Sequence, residues 1–511
     1  MVTNGLLERY SLLLSKYRDY AILLSAEAML QWDMETKMPP AGSRLRGEQL
    51  ALLSRIDHKM AVDPEMGRLL DEILRHRDYP SLSDLQRRNI YLINRAYREN
   101  VALPEDLVAA TSRHSVACFN VWRKAKQAKD FSLFKDDLSR MFELRMRAAT
   151  LLMEPKGVKT PYDAALDSFD PKISQDTISR TFDSLRTVLT PIISRWSDES
   201  SAVNAAALGV SVPADSQSRI SKSLARFIGY DIDSEKGMGR IDETEHPFTI
   251  GMYDDVRITT HYFERNFASS LFSILHEGGH AMYEQSLPRE WMYQPVGTAC
   301  SYCFHESQSR FVENVIGRSP EFWSYYLPEL KSLAPELSGL TYRDAVQGVN
   351  LVVPSKIRIE ADEATYAMHI IIRFEIERDL FAGKLRVDEL PQVWNEKYLK
   401  YLGAEVDDDA EGVLQDVHWS QGNFGYFPSY AIGNIICGQL RAKLEKEVPE
   451  WSSRLLDGNF LGVRGWLNRN VHAYGNLYDP LDLLRIITGE GIEPKYFASY
   501  LNSKYERVYG I

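Results

Sequence analysis

His276-Glu277-Gly278-Gly279-His280 limits this chain more than any other stretch of its sequence. Two histidines four residues apart reach one cation together only from the same face of a helix, a turn apart, so the segment has to be helical for the pair to act. Glu277 stands beside the first histidine, where it can hold a water next to the cation and take its proton. Zinc lowers the pKa of such a water from about 15.7 to about 7, so a carboxylate is base enough near neutral pH. The residues before the motif support a helix. Asn266, Ser269 or Ser270 can cap it, and Leu271, Phe272, Ile274 and Leu275 supply an apolar face. Gly278 and Gly279 oppose it, each by about 1 kcal/mol relative to Ala. Close approach of a substrate or of another backbone is the expected compensation.

A catalytic zinc needs a third protein ligand and one open position. No third histidine follows His280 at short spacing. Glu284 lies on the same helical face but a turn too far along to share the ion. Glu306, in His305-Glu306-Ser307-Gln308, is better placed, after enough chain for a loop and a returning helix, and His305 is its rival.

The chain has 511 residues and a formal net charge of −11, which argues against a general nucleic-acid binder with its basic face. The four cysteines, Cys118, Cys300, Cys303 and Cys437, are too few for a disulfide framework. Cys300-x-x-Cys303 has no second ligand pair near it in sequence and reads as buried free thiols. Met1 to Tyr20 carries charges throughout and has no apolar signal region. The uncharged run from Ser420 to Leu440 holds too many polar residues for a span of roughly 20 apolar ones. It reads as buried protein, and no membrane association and a cytoplasmic location are expected.

Apolar residues recur at helical spacing through residues 1–240, as in Leu6, Leu7, Tyr10, Leu13 and Leu14, or Leu50, Leu52, Leu53 and Ile56. Breaks fall at Met38-Pro39-Pro40, Asp63-Pro64, Tyr79-Pro80 and Leu103-Pro104, with Ser81 or Ser83, and Ser132, as helix starts. Residues 246–252 and 255–260 are β-branched and turn-flanked, and read as two strands joined near Tyr253-Asp254. Helices are expected from about Ser269, from about Lys356 to Leu380, and after Pro391 to the end. The class is mainly α with a small sheet near the motif. No linker divides the chain, so residues 1–511 are expected to form one domain, with two helical lobes around a groove as a variant.

Several segments occur together in one order: His246-Pro247-Phe248, Asp255-Val256-Arg257-Ile258-Thr259, His276 to His280, His305-Glu306-Ser307-Gln308, Ile357-Arg358-Ile359-Glu360-Ala361-Asp362, and Gly412-Val413-Leu414-Gln415-Asp416-Val417-His418-Trp419. With Trp32 to Pro39 and Pro161 to Asp167, this resembles the carboxypeptidase Taq family of thermostable metallocarboxypeptidases over nearly the whole chain. The resemblance implies a large helical zincin-like body with a deep groove. It implies His276, His280 and Glu306 as metal ligands and Glu277 as catalytic base. It further implies zinc, or cobalt in its place, one ion per subunit. The implied activity is sequential release of C-terminal residues from peptides with broad specificity, by a homodimer.

A carboxypeptidase has to recognise a free α-carboxylate, and Arg does so through paired charge-assisted hydrogen bonds. Arg358 and Arg257 are the candidates within these motifs, although Arg358 can also pair with Asp362 one helical turn on, and Arg257 with Asp255. His418, Tyr426 and Tyr430 are candidate donors to the oxyanion, with aromatic packing as the plainer role. His246 is a further candidate for substrate contact. Asp416 reads as an acceptor that orients a histidine, or as a helix cap. His369 and His472 read as ordinary structural histidines. An endo-acting oligopeptidase on the same scaffold is the alternative, and a helical binding scaffold without catalysis a third reading.

Overall fold

The computed structural model describes residues 4–510. Helices Asn4–Thr36, Ser43–Ala61, Pro64–Leu74 and Asp84–Ala102 open the chain. Leu6, Tyr10, Leu13, Leu70, Ile73, Ile90 and Ile93 give the first, third and fourth of them a small core of their own. Pro64 begins its helix, with Asp63 accepting from the Glu65 amide. Ser83 and Gln86 form a reciprocal capping box, which satisfies two of the helix's orphan donors. Ser132 starts no helix: it lies in a single 3₁₀ turn held by Asp130, and the helix begins at Lys135. Helix Ser43–Ala61 forms as its periodicity predicts, but Leu45, Leu52 and Ile56 face solvent.

A second, much larger core runs through the rest of the chain, from Cys118 to Val508. All four cysteines are buried and free. Among the described residues no helix is long and apolar enough to cross a membrane; the uncharged run instead contributes most of the buried helix Pro428–Glu447.

The sheet has three strands, β1 (Gly239–Glu243), β2 (Thr249–Met252) and β3 (Asp255–Thr260), in the order β1-β3-β2. β2 and β3 form the expected antiparallel hairpin, closed by Tyr253-Asp254 with Tyr253 at φ 52°. β2 starts at Thr249 rather than 246, after Pro247, which has no N–H to offer a ladder. β1 was not expected. It runs parallel to β3 with Arg240 opposite Arg257, and this register sets two guanidiniums side by side. Both lie on the Trp32 ring of the first helix, at 4.8 and 4.1 Å. The first helix is thus fastened to the sheet by cation–π contact, with Lys37–Asp242 at 2.7 Å beside it.

The motif lies in helix Phe267–Gln285, as expected, packed on one side against the sheet. Its other side meets helix Tyr302–Arg310, which carries Glu306. A Cβ on Gly279 would stand 2.6 Å from both the Gln308 carbonyl oxygen and the Ser309 Cα. The two backbones touch there, which is the compensation the motif's glycines called for. On the far side of the Glu306 helix, helix Pro428–Glu447 comes equally close: a Cβ on Gly433 would meet Glu306 Cγ at 2.9 Å.

The expected long helix over 356–380 is cut short. Arg358–Glu360 is one 3₁₀ turn, and the helix starts at Tyr366. Asp362 stops the earlier start by accepting from the Ala364 and Thr365 amides, a turn that competes with helix. Helix Leu390–Leu402 follows, with Pro391 in its first turn. The loop after it, which bears His418, is anchored from below by buried Glu377, which accepts from Trp419 Nε1, the Gly425 amide and Tyr162 Oη at 2.8–3.0 Å.

Gly279→Ala is expected to lower the unfolding free energy by about 1–3 kcal/mol, because two backbones would have to separate. Gly278→Ala should cost less, since its Cβ would meet only the end of the Ile228 side chain. Equilibrium denaturation of the two variants tests the order.

Candidate metal centre

His276 and His280 stand one turn apart on the motif helix and share a face, as their spacing requires. Glu306 comes to them from the neighbouring helix. Its Oε2 lies 3.6 Å from His276 Nε2 and 3.5 Å from His280 Nε2, and the donor atoms of all three lie within 4.8 Å of one another. Four-coordinate bonds of about 2.0–2.1 Å separate ligand atoms by roughly 3.4 Å, so these three fit a single small divalent cation. Two imidazoles and one carboxylate are also a donor set that zinc-type ions accept.

Neighbouring groups aim the imidazoles. Glu313 Oε2 accepts from His276 Nδ1 at 2.8 Å, which leaves Nε2 bare toward Glu306. His305, the rival ligand, instead stands behind His280. Its Nε2 donates to Glu284 at 2.8 Å, and its Nδ1 meets His280 Nδ1. A carboxylate can only accept, so His305 carries its proton on Nε2 and its Nδ1 takes one from His280. His280 Nε2 is then bare as well. Glu284, too far along to share an ion, serves as the far end of this relay.

The carboxylates are balanced from the same stretch of chain. Arg310 Nε donates to Glu306 Oε1 at 2.7 Å, leaving Oε2 toward the histidines, and Arg310 Nη1 reaches Glu313 at 3.2 Å. Burial opposes the charged form of Glu313, but Arg310, His276 and Arg318 outweigh it and hold its carboxyl well below the usual range. Beyond Arg310 the helix widens into a π turn over Phe311–Ile316, an irregularity frequent at functional sites. Arg310 and Glu313 went unremarked in the sequence, although Glu306, Arg310 and Glu313 fall at i, i+4 and i+7.

Glu277 is buried beside the triad. Burial pushes its carboxyl above the usual range, against the pull of His276 and of the Thr249 hydroxyl. That hydroxyl donates to Glu277 Oε2 at 2.6 Å and comes from β2, so the hairpin fixes the side chain that its helix presents. Thr249 carried no signal of this in sequence.

The remaining candidates fall into three places. His246 is exposed on the loop before β2. Arg257 is chelated by Asp255 at 2.7 and 2.8 Å and lies on Trp32, so both its charge and its face are engaged. Arg358, His418, Tyr426 and Tyr430 come together. Arg358 does not pair with Asp362; its Nε and Nη2 donate to Asp416 Oδ1 at 2.9 and 2.7 Å, and Nη1 to Tyr366 Oη at 3.0 Å. Asp416 therefore holds arginines, neither orienting a histidine nor capping a helix. His418 packs its ring on Tyr426 and Phe427, with Tyr430 Oη 3.4 Å from Nε2. Burial holds it down to about 4, so it is neutral at pH 7, with its buried Nδ1 unpartnered among the described residues. Glu306 adds to the field at both Tyr426 and Tyr430. The Arg310 guanidinium lies 4.4 Å over the Tyr366 ring, linking the triad's surroundings to those of Arg358. His369 and His472 are structural: the first meets Tyr398 Oη at 2.9 Å, and the second lies between Asn468 and Gln308.

Comparison with known proteins places the whole chain. The family profile described as carboxypeptidase Taq (M32) metallopeptidase matches residues 12–505. The chain is 35% identical to carboxypeptidase 1 of Bacillus subtilis, covering 95% of each. It is 35% identical to thermostable carboxypeptidase 1 of Thermus thermophilus, covering 98% of this chain and 99% of that one. The solved M32 carboxypeptidase of Deinococcus radiodurans superposes with a TM-score of 0.93 at 32% identity, covering 99% of this chain and all of that one.

Glu313→Gln leaves His276 Nδ1 without its carboxylate. Such a change is expected to weaken metal binding about 10–100-fold, read by chelator competition on the purified protein without any activity assay.

Proposed function

The chain belongs to the carboxypeptidase Taq (M32) metallopeptidase family and is a metallocarboxypeptidase acting on peptides, and from that premise we propose which of its residues perform each part of the hydrolysis. The observation that carries the assignment is the convergence of His276, His280 and Glu306 beside Glu277. These three hold one zinc per subunit, with cobalt able to replace it. When bound, the metal supplies a positive centre that acidifies water and polarises the scissile carbonyl.

The protein's own groups do the rest. Glu277, fixed by Thr249, takes a proton from the attacking water as its oxygen adds to the carbonyl carbon. The raised pKa of this carboxyl makes it a stronger base, and the proton it takes is then handed to the leaving nitrogen. The C–N bond then breaks and one amino acid leaves. His418, Tyr426 and Tyr430, which pack together, are read as facing the scissile carbonyl. A neutral histidine and two hydroxyls supply donors for the carbonyl oxygen as its charge grows. Arg358 receives the substrate's terminal carboxylate, and His246 borders the approach to β2. Arg257 is read as a clamp on the first helix, since Asp255 and Trp32 already engage it. Broad side-chain tolerance and stepwise release follow if recognition rests on the carboxylate and the backbone.

We take residues 1–511 to act as one unit, paired as a homodimer in the cytoplasm, with no nucleic-acid partner. The dimer rests on the family resemblance alone, and the compartment on composition.

Mass spectrometry of a short peptide given to the metal-loaded protein, beside its C-terminally amidated twin, tests the reading. A ladder of single-residue losses from the free peptide alone is expected. Internal cuts in both would overturn the carboxylate anchor. Glu277→Gln is expected to retain metal while kcat falls about 10²–10⁴-fold; near-normal turnover would remove Glu277 from the mechanism.

A further inference from the structure

Arg373 lies directly behind Arg358 and is wholly buried, although no step above uses it. Its Nε donates to Asp416 Oδ2 at 2.6 Å, and its Nη2 to Gln415 Oε1 at 2.8 Å. Nη1 donates to the His369 carbonyl and to Tyr398 Oη at 2.7 and 2.9 Å. Two of these four partners, Asp416 and Gln415, also hold Arg358. Asp416 takes the Arg358 side chain through Oδ1, and Gln415 Oε1 accepts from the Arg358 amide at 2.9 Å.

Elsewhere in this protein some Arg–Asp pairs with no second cation close as two-oxygen forks. Asp255 gives one oxygen to each of two Arg257 nitrogens, and Asp233 does the same for Arg226. Asp416 does not close on Arg358 in this way. It offers a single oxygen, because Arg373 occupies the other. Two guanidiniums therefore share one carboxylate, and no second acid pairs with either among the described residues. The nearby acid Glu377 is turned toward Tyr162, Trp419 and Gly425. A guanidinium has five N–H groups, and Arg358 spends three of them on Asp416 and Tyr366. It keeps two donors, and the two guanidiniums together carry one positive charge more than the carboxylate they share.

We propose that Arg373 is a positioning residue for substrate recognition: by holding the second oxygen of Asp416, it prevents that carboxylate from neutralising Arg358 and keeps Arg358 aimed at the peptide's terminal carboxylate. The inference rests on Arg358 being the anchor, and goes beyond it by assigning the group that keeps the anchor charged.

The test compares Arg373→Met, Arg373→Gln, Arg373→Lys and Arg358→Met with the parent, all metal-loaded. It reads kcat and KM on a free-acid peptide, and inhibition by a product amino acid against inhibition by its amide. Gln removes the charge yet can still donate to Asp416, so it carries the test if the Met variant does not fold. Both neutral variants are expected to raise KM about tenfold or more, the range for a lost charged hydrogen bond. They should leave kcat within about threefold and lose the preference for acid over amide, while Lys restores most of that preference. An unmoved KM, a fall in kcat without a rise in KM, or an equal loss in Lys would each overturn the proposal. If Arg358→Met keeps the acid preference, the anchor reading fails as well. If it loses the preference while the Arg373 variants keep it, only the role of Arg373 fails.

Discussion

Three helices have to come close enough for one carboxylate to reach two imidazoles on a different helix. Glu306 rides on the middle one. Gly279 lets the motif helix press its backbone against that of residues 308–309, and Gly433 lets helix Pro428–Glu447 press against Glu306 itself. Any side chain at either position would widen the gap, and a separation error of an ångström is large beside metal–ligand bonds of about 2 Å. The glycines cost helix propensity, each by about 1 kcal/mol. Contact between buried helices has to offset that loss, which is why the rest of the site depends on this packing rather than on local preference.

Buried charge is the second constraint. An unpaired ion in such surroundings is costly, and a buried pair is a poor source of net stability. The pairs here serve geometry instead. Arg310 turns Glu306 so that one oxygen faces the histidines, Glu313 and His305 set the tautomers of the two imidazoles, and Asp416 sets Arg358. Each of these neighbours is itself held by a further group: Arg318 for Glu313, Glu284 for His305 and Arg373 for Asp416.

What could be read from the sequence was what depends on neighbours along the chain. The motif helix, the hairpin at Tyr253-Asp254, the helix start at Ser83 and the break at Asp63-Pro64 are all local patterns, and they appear as expected. The demand that Gly278 and Gly279 placed on their surroundings was legible too, though not which backbone would meet it. Features set across the chain were hidden. β1 had no signal because a parallel partner lies beyond its own residues. Arg358 had a plausible partner one turn away in Asp362, yet Asp362 turned to the Ala364 and Thr365 amides, and Asp416, distant in sequence, took the arginine. Thr249 beside Glu277 belongs to the same class.

Glu306, Arg310 and Glu313 lie on successive turns of one continuous helical stretch. The ligand carboxylate, its counter-charge and the group that steers His276 therefore travel as one body. A small slide of that stretch would change the distances to His276 and His280, yet leave the acid and its neutralising base in unchanged register. Charge balance in this site is thus uncoupled from its reach: a disturbance transmitted through the helices would register first as poor fit to the cation, and only afterwards, if at all, as altered protonation.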